Sequence, residues 1–168
     1  MAEVIELWDI LDENGNKTGK LHKRGEAMKD GEYRLLVQIW IKNSKGEFLI
    51  SKRSPKKQDK GNLWECTGGS AVAGEDSLTA ALRETKEELG LTLNPNKGEK
   101  IYSYISYDCF INAWLFYEDF DINEVVLQED ETCAAKWASK GEIMKMIDEG
   151  EFKPIKYFEY IYDMLEKY

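Results

Sequence analysis

A chain of 168 residues, 42% of them hydrophobic, is of single-domain length and can build a packed core without disulfides or a structural metal. The formal net charge of −9 is spread along the sequence, which argues against a grip on DNA or RNA phosphates and excludes polymeric nucleic acid as the expected partner. Cys66, Cys109 and Cys133 are odd in number and widely spaced, so neither a disulfide framework nor a zinc site is indicated; with no basic-then-apolar opening and no membrane-length apolar run, the expectation is a cytoplasmic protein with no membrane partner.

In chain order, Val4 to Leu11 alternates imperfectly, Asn14-Gly15 signals a turn, and Thr18 to His22 returns, which predicts an N-terminal β-hairpin in an extension covering residues 1–30. Leu35 to Ile41 and Glu47 to Lys52, joined by Asn43-Ser44-Lys45-Gly46, predict a second hairpin. A polar, basic loop over residues 53–62 leads to a short strand at Leu63-Trp64 and then a glycine turn within Thr67 to Ala71. From Ser77 to Leu89, Leu78, Ala81, Leu82 and Leu89 recur at helical spacing, with Asp76 as N-cap and Gly90 as the stop. Lys100 to Tyr107, Phe110 to Tyr117 and Cys133 to Ala138 read as strands, and Gly141 to Asp148 and Ile155 to Glu166 as helices. This order predicts a mixed α/β architecture, and with no linker or repeat, residues 1–168 are expected to form one domain.

The central helix carries the chemistry. At about 100° per residue its apolar positions fill one arc, while Glu84, Glu87 and Glu88 crowd the flank beside it. Like-charge pairs at these spacings cost an isolated helix roughly 0.2–0.5 kcal/mol each, so something should offset them. Arg83, four residues before Glu87, is placed to orient a carboxylate, and a hard cation such as Mg2+ takes oxygen ligands of this kind. A cation would also reconcile an acidic protein with an anionic polyphosphate substrate.

Gly69, Glu75 and then Arg83-Glu84-Thr85-Lys86-Glu87-Glu88-Leu89-Gly90-Leu91 resemble the Nudix box, which sets glycine, glutamate and Arg-Glu-apolar-x-Glu-Glu-x-Gly-apolar at these intervals. The one departure is Thr85, where the family has an aliphatic residue; its methyl can still face the core. The motif spans residues 69–91, and the flanking strands fit the family's α/β/α sandwich with a mixed β-sheet, here with an N-terminal β-hairpin.

The resemblance implies a hydrolase in which Mg2+ or Mn2+ is held on a diphosphate while water attacks one phosphorus. Glu87 and Glu88 are then the leading metal ligands, and Glu84 is either a third ligand or the base. Arg83 orients a carboxylate, Gly68 gives a sharp backbone path at the metal and Gly69 at the substrate, and Glu75 either steadies the box or reaches a metal through water, at the substrate side of the site. Glu131, in the acidic run from Gln128, is the candidate for a further carboxylate from a later loop, and Arg53, at a strand end, for a phosphate contact. Trp64, Tyr102, Tyr104, Tyr107 and Trp114 are read as core aromatics rather than a base platform.

The implied partner is a small diphosphate compound of nucleotide type, such as a nucleoside triphosphate or a nucleoside diphosphate linked to another group, with a homodimer left open. The alternatives are a dinucleoside polyphosphate hydrolase, for which Tyr107 is the only pointer, a non-catalytic nucleotide-binding module, and an enzyme like isopentenyl diphosphate isomerase. The isomerase needs a cysteine directly before the first box glycine and a histidine-rich metal site; here that position is Gly68, and His22 is the only histidine.

Overall fold

The computed structural model describes residues 4–155 and 157. Strands β1 (Leu7–Leu11) and β2 (Lys17–Lys23) pair antiparallel as the expected N-terminal hairpin. In its turn the Asp12 carboxylate accepts from the amides of Asn14 and Asn16. The first strand begins at Leu7 rather than Val4, and Val4 and Ile5 stay exposed before it.

The remaining elements are β3 (Arg34–Lys42), β4 (Phe48–Arg53), β5 (Trp64–Glu65), β6 (Thr67–Ser70), α1 (Ser77–Leu89), β7 (Gly98–Ser106), β8 (Cys109–Tyr117), β9 (Thr132–Ala138) and α2 (Lys140–Asp148). β3 runs parallel to β8 along its whole length, and β7 lies antiparallel outside β8, which makes the sheet mixed. β4 touches β3 only where Lys42 faces Phe48, then diverges to pair with β5 and β9. The β3 edge left open is taken by β6, from Leu36 opposite Ser70 to Ile39 opposite Thr67.

That pairing corrects one expectation: Gly68 and Gly69 lie in a strand, not in a turn. Glycine reads as a turn residue locally, but here its missing side chain permits close approach. A Cβ on Gly68 would overlap the Val37 carbonyl oxygen of β3.

α1 begins where the sequence places it. Asp76 is its N-cap and accepts from the Thr79 amide at 2.7 Å, and Gly90 ends it in the left-handed region at φ 70°. Its buried face, including Ala80, Ala81 and Leu89, packs with Val37, Ile39 and Ile41 on one side of the sheet. Trp40, Phe48 and Ile50 point to the other side and pack with Ile143 and Met146 of α2 and with Phe152. Alternating strand residues thus feed two cores, and the result is an α/β/α sandwich. The helix expected over 155–166 lies, beyond Ile155 and Tyr157, outside the described residues. Among the described residues no helix is long and apolar enough to cross a membrane.

Because the Asp76 cap is one of few local determinants of where α1 starts, Asp76→Ala is expected to cost about 1 kcal/mol. Urea denaturation should show a lower midpoint with an unchanged slope.

Candidate active site

α1 presents its carboxylates to the β6 edge because its opposite face is locked into the core. Thr85 is fully buried and returns its hydroxyl to the Ala81 carbonyl at 2.9 Å, so the residue that departs from the box pattern satisfies its own polar atom. Glu88 then reaches β6 and accepts from the Thr67 hydroxyl. The Glu84 carboxylate lies across Gly69, where a Cβ would overlap it, so a side chain at Gly69 would displace Glu84.

Arg83 ties the cluster together. Its Nε and Nη2 donate to the two oxygens of Glu75 at 2.6 and 2.9 Å, its Nη1 donates to Glu84 at 3.0 Å and Glu87 at 3.1 Å, and Nη2 also reaches the Ser70 carbonyl at 3.1 Å. Glu75 sits one residue before the N-cap, not in the first turn of α1. Its Oε2 also accepts from the Val72 amide at 2.9 Å, so both oxygens are engaged. Burial works against ionisation of Glu75, yet the bonds from Arg83 and Val72 hold its carboxyl below the usual range.

The other two buried carboxylates are not compensated in this way. Burial pushes Glu88 up to about 8, with the charges of Glu84 and Glu65 adding, although the Thr67 hydroxyl and Gly68 amide work the other way. Burial likewise raises Glu84 to about 7; Arg83 opposes this, while the charges of Glu87 and Glu6 reinforce it. Two acids that pay to ionise, beside a third, form a site that gains from a cation.

These groups line a cleft of about 350 Å3. Of the expected residues, Arg83, Glu84, Glu87 and Glu88 line it from α1, and Gly68 and Gly69 from β6. Arg53 and Glu131 join from the facing loops, whereas Glu75 does not line the cleft and lies behind Arg83. The loop bearing Glu131 is pinned to the end of α1, with Val126 and Gln128 amides donating to the Leu89 and Glu88 carbonyls at 2.8 and 3.2 Å. Arg53 donates to the Asp59 carbonyl and to Glu65 at 3.2 and 3.3 Å. Lys57, from the polar, basic loop over residues 53–62, is brought into the cleft and pairs with Glu131 at 2.5 Å. Glu6 and Arg24 of the N-terminal extension also line it, and no motif in the sequence signalled them. A smaller cavity of about 130 Å3 shares Arg53, Gly68 and Gly69 with the cleft and is also lined by Lys153, Pro154 and Ile155.

The aromatic residues stay out of the cleft. Trp114 donates to Ser77, Tyr102 and Tyr104 pack on Tyr157, and Trp64 is flanked by Lys52 and Lys136. Tyr107 departs from the core reading: it is 91% exposed at the β7–β8 turn, with φ 53°, and borders a separate depression with Asp108. His22 stacks on Trp8 with centroids 5.9 Å apart, and its Nε2 lies 3.0 Å from the Glu26 carbonyl oxygen.

Glu84, Glu87 and Glu88 supply only oxygen donors, the set suited to a hard divalent cation. Among the described residues no three acidic, histidine or cysteine side chains already converge around a metal-sized gap. The reason is Arg83, which holds Glu84 and Glu87 on itself; the Glu87 side chain is 51% exposed and can swing away at little cost. The oxygen donor set therefore fits a hard divalent cation, which Glu87, Glu84 and Glu88 would hold.

The NUDIX domain family profile matches residues 32–159, and the chain belongs to the Nudix family of hydrolases. It is 35% identical over 161 residues to an uncharacterized Nudix hydrolase of Listeria monocytogenes, covering 95% of each chain. It is 39% identical over 92 residues to an isopentenyl-diphosphate Delta-isomerase of Pectobacterium atrosepticum, covering 54% of this chain and 49% of that one. The solved structure of DR0079 from Deinococcus radiodurans superposes with a TM-score of 0.75 over 94% of this chain and 98% of that one at 21% identity, a likeness of fold.

The raised acids make the metal-free protein sensitive to pH. Above the ordinary 4.5, Glu84 and Glu88 ionise in the unfolded chain while the folded chain keeps their protons up to about 7 and about 8. The unfolded state thus binds fewer protons, and the contribution of these groups to stability falls as pH rises through that window. Thermal denaturation in chelator should show Tm falling toward pH 8, with a smaller fall in Glu88→Gln; an equal fall in both proteins would contradict the assignment.

Proposed function

We propose that the protein is a divalent-metal-dependent hydrolase of a phosphoanhydride bond in a nucleotide-type compound, a nucleoside diphosphate linked to another group or a nucleoside triphosphate. The observation that carries this reading is the carboxylate cluster gathered on Arg83 and the β6 glycines, at the wall of a cleft whose facing loops bring Arg53 and Lys57. Acids on one wall and bases on the other match a bound cation and a phosphate chain between them.

Glu87 and Glu88 would hold Mg2+ or Mn2+, with Glu84 as a third ligand or as the base, and Glu131 as a later-loop carboxylate once released from Lys57. Gly68 and Gly69 leave room for the ion and the substrate beside the β6 backbone. Arg83 positions Glu84 and, before an ion binds, Glu87, and Glu75 positions Arg83. Arg53 faces a phosphate. When bound, the cation supplies charge neutralisation on the phosphate oxygens and a lower pKa for water. In the reaction, a water oxygen bonds to one phosphorus, the bridging P–O bond breaks, and the leaving phosphate departs with the bridging oxygen and its electron pair. A box carboxylate takes the proton from water. The adjoining cavity offers space for part of the attached group.

Isomerase chemistry is disfavoured because the residue directly before Gly69 is Gly68, and the buried Cys66 thiol, pushed up to about 12 by burial, is on the far side of Thr67. The position of Tyr107 outside the cleft gives no support to a dinucleoside polyphosphate preference.

Glu87→Gln and Glu88→Gln should each lower Mg2+-dependent kcat on the order of 100-fold while the circular dichroism spectrum is retained. The assay is release of phosphate, pyrophosphate or nucleoside monophosphate from a panel of diphosphate compounds with Mg2+ and Mn2+. Full activity in both variants, or no turnover of any compound by the native protein, would contradict the reading.

A further inference from the structure

The open end of the N-terminal hairpin reaches the cleft, and its placement is fixed by the box loop itself. The Ala73 amide donates to the Leu7 carbonyl, and the Gly74 amide to the Asp9 carboxylate, both at 2.8 Å. The Arg34 guanidinium lies 4.8 Å from the Trp8 ring centroid and ties the same strand to β3. At the hairpin mouth the Arg24 amide donates to the Glu6 carbonyl at 3.0 Å, so the backbone that carries Arg24 is held in register with the segment leading into β1.

A diphosphate entering this cleft meets Glu84, Glu87 and Glu88 on one wall and needs positive charge from elsewhere. Arg83 provides little of it, because even with Glu87 released its donors remain on Glu75, Glu84 and the Ser70 carbonyl. Arg53 and Lys57 supply part of it from the facing loops, but their side chains are only 22% and 27% exposed, with Arg53 also bonded to Glu65 and a carbonyl and Lys57 paired with Glu131 before that carboxylate is released. The Arg24 side chain is 62% exposed, and among the described residues it is held by Glu6 alone, Nη1 to the carboxylate at 3.0 Å. Glu6 is itself anchored, accepting from the Trp8 indole N–H at 2.8 Å. The arrangement is a fixed anion that parks a lightly held guanidinium at the cleft wall. A phosphate offers that guanidinium two parallel bonds in place of one.

We propose that Arg24 is a substrate-binding residue supplied by the N-terminal hairpin, which leaves Glu6 and takes the phosphate remote from the box carboxylates. The inference rests on the diphosphate reading given above. It makes the hairpin a part of the binding site that contributes to selection of substrates bearing a phosphate beyond the one attacked.

The test is calorimetric titration of methylenediphosphonate, a diphosphate that cannot be hydrolysed, into the Mg2+-loaded protein, compared among the native chain, Arg24→Ala, Arg24→Lys and Glu6→Gln. Arg24→Ala is expected to raise Kd about tenfold while Mg2+ affinity measured alone and Tm are unchanged. Arg24→Lys should recover part of the affinity, since it restores the charge but not the paired donors. Glu6→Gln should tighten binding, because the competing anion is gone. Equal Kd for the native chain and Arg24→Ala, or weaker binding by Glu6→Gln, would overturn the assignment of Arg24 and leave the diphosphate reading intact. No binding by the native chain would remove that reading, and this inference with it.

Discussion

The constraint on which the site depends is electrostatic: four glutamates are held around one guanidinium and one strand edge, closer together than isolated carboxylates would choose. Arg83 reconciles three of them, and Glu88 instead takes the Thr67 hydroxyl. The division is unequal. Glu75 is fully compensated and ionises readily, whereas Glu84 and Glu88 are buried with too little positive charge to match. A fold under no functional demand would relieve that mismatch with apolar residues or added cations. Its presence beside a polar cleft is what marks these residues as the candidate site and motivates the proposed cation.

The rest of the architecture serves that arrangement. β4 diverges from β3, which frees an edge for β6, and β6 can use that edge because Gly68 has no side chain to strike Val37. Gly69 then leaves space for Glu84. The helix is fixed in rotation by its buried alanines and Thr85, so Glu84 and Glu88 have no solvent-facing alternative. The loop before β9 is clipped to the helix C-terminus, and the hairpin is clipped to the loop before the helix, which brings distant charges to the same cleft.

How much of this was legible in the sequence follows from the range of the forces involved. The bounds of α1 rest on local signals, a capping Asp76, a 3.6-residue apolar period and Gly90, and the structure reproduces them. The link from Arg83 to Glu87 is one helical turn and was equally readable. Gly68-Gly69 was read as a turn because glycine's local preference is all that sequence displays; its strand character comes from a partner some thirty residues away in β3. Glu6 and Arg24 carry no pattern of their own, and the basic run that includes Lys57 does not say which of its lysines faces the cleft. They reach the cleft through backbone bonds between loops, which leave no periodicity to detect, and the bidentate use of Glu75 by Arg83 depends on the same loop path.

The most direct measurement of the central claim is a crystal structure of the protein soaked in Mn2+, with anomalous diffraction used to locate the ion. The account predicts an anomalous peak coordinated by oxygens of Glu84, Glu87 and Glu88 beside the Gly68 backbone, with Glu87 turned off Arg83. Glutamate oxygens still clasped by Arg83 or spread into solvent, with no peak among them at saturating Mn2+, would contradict it.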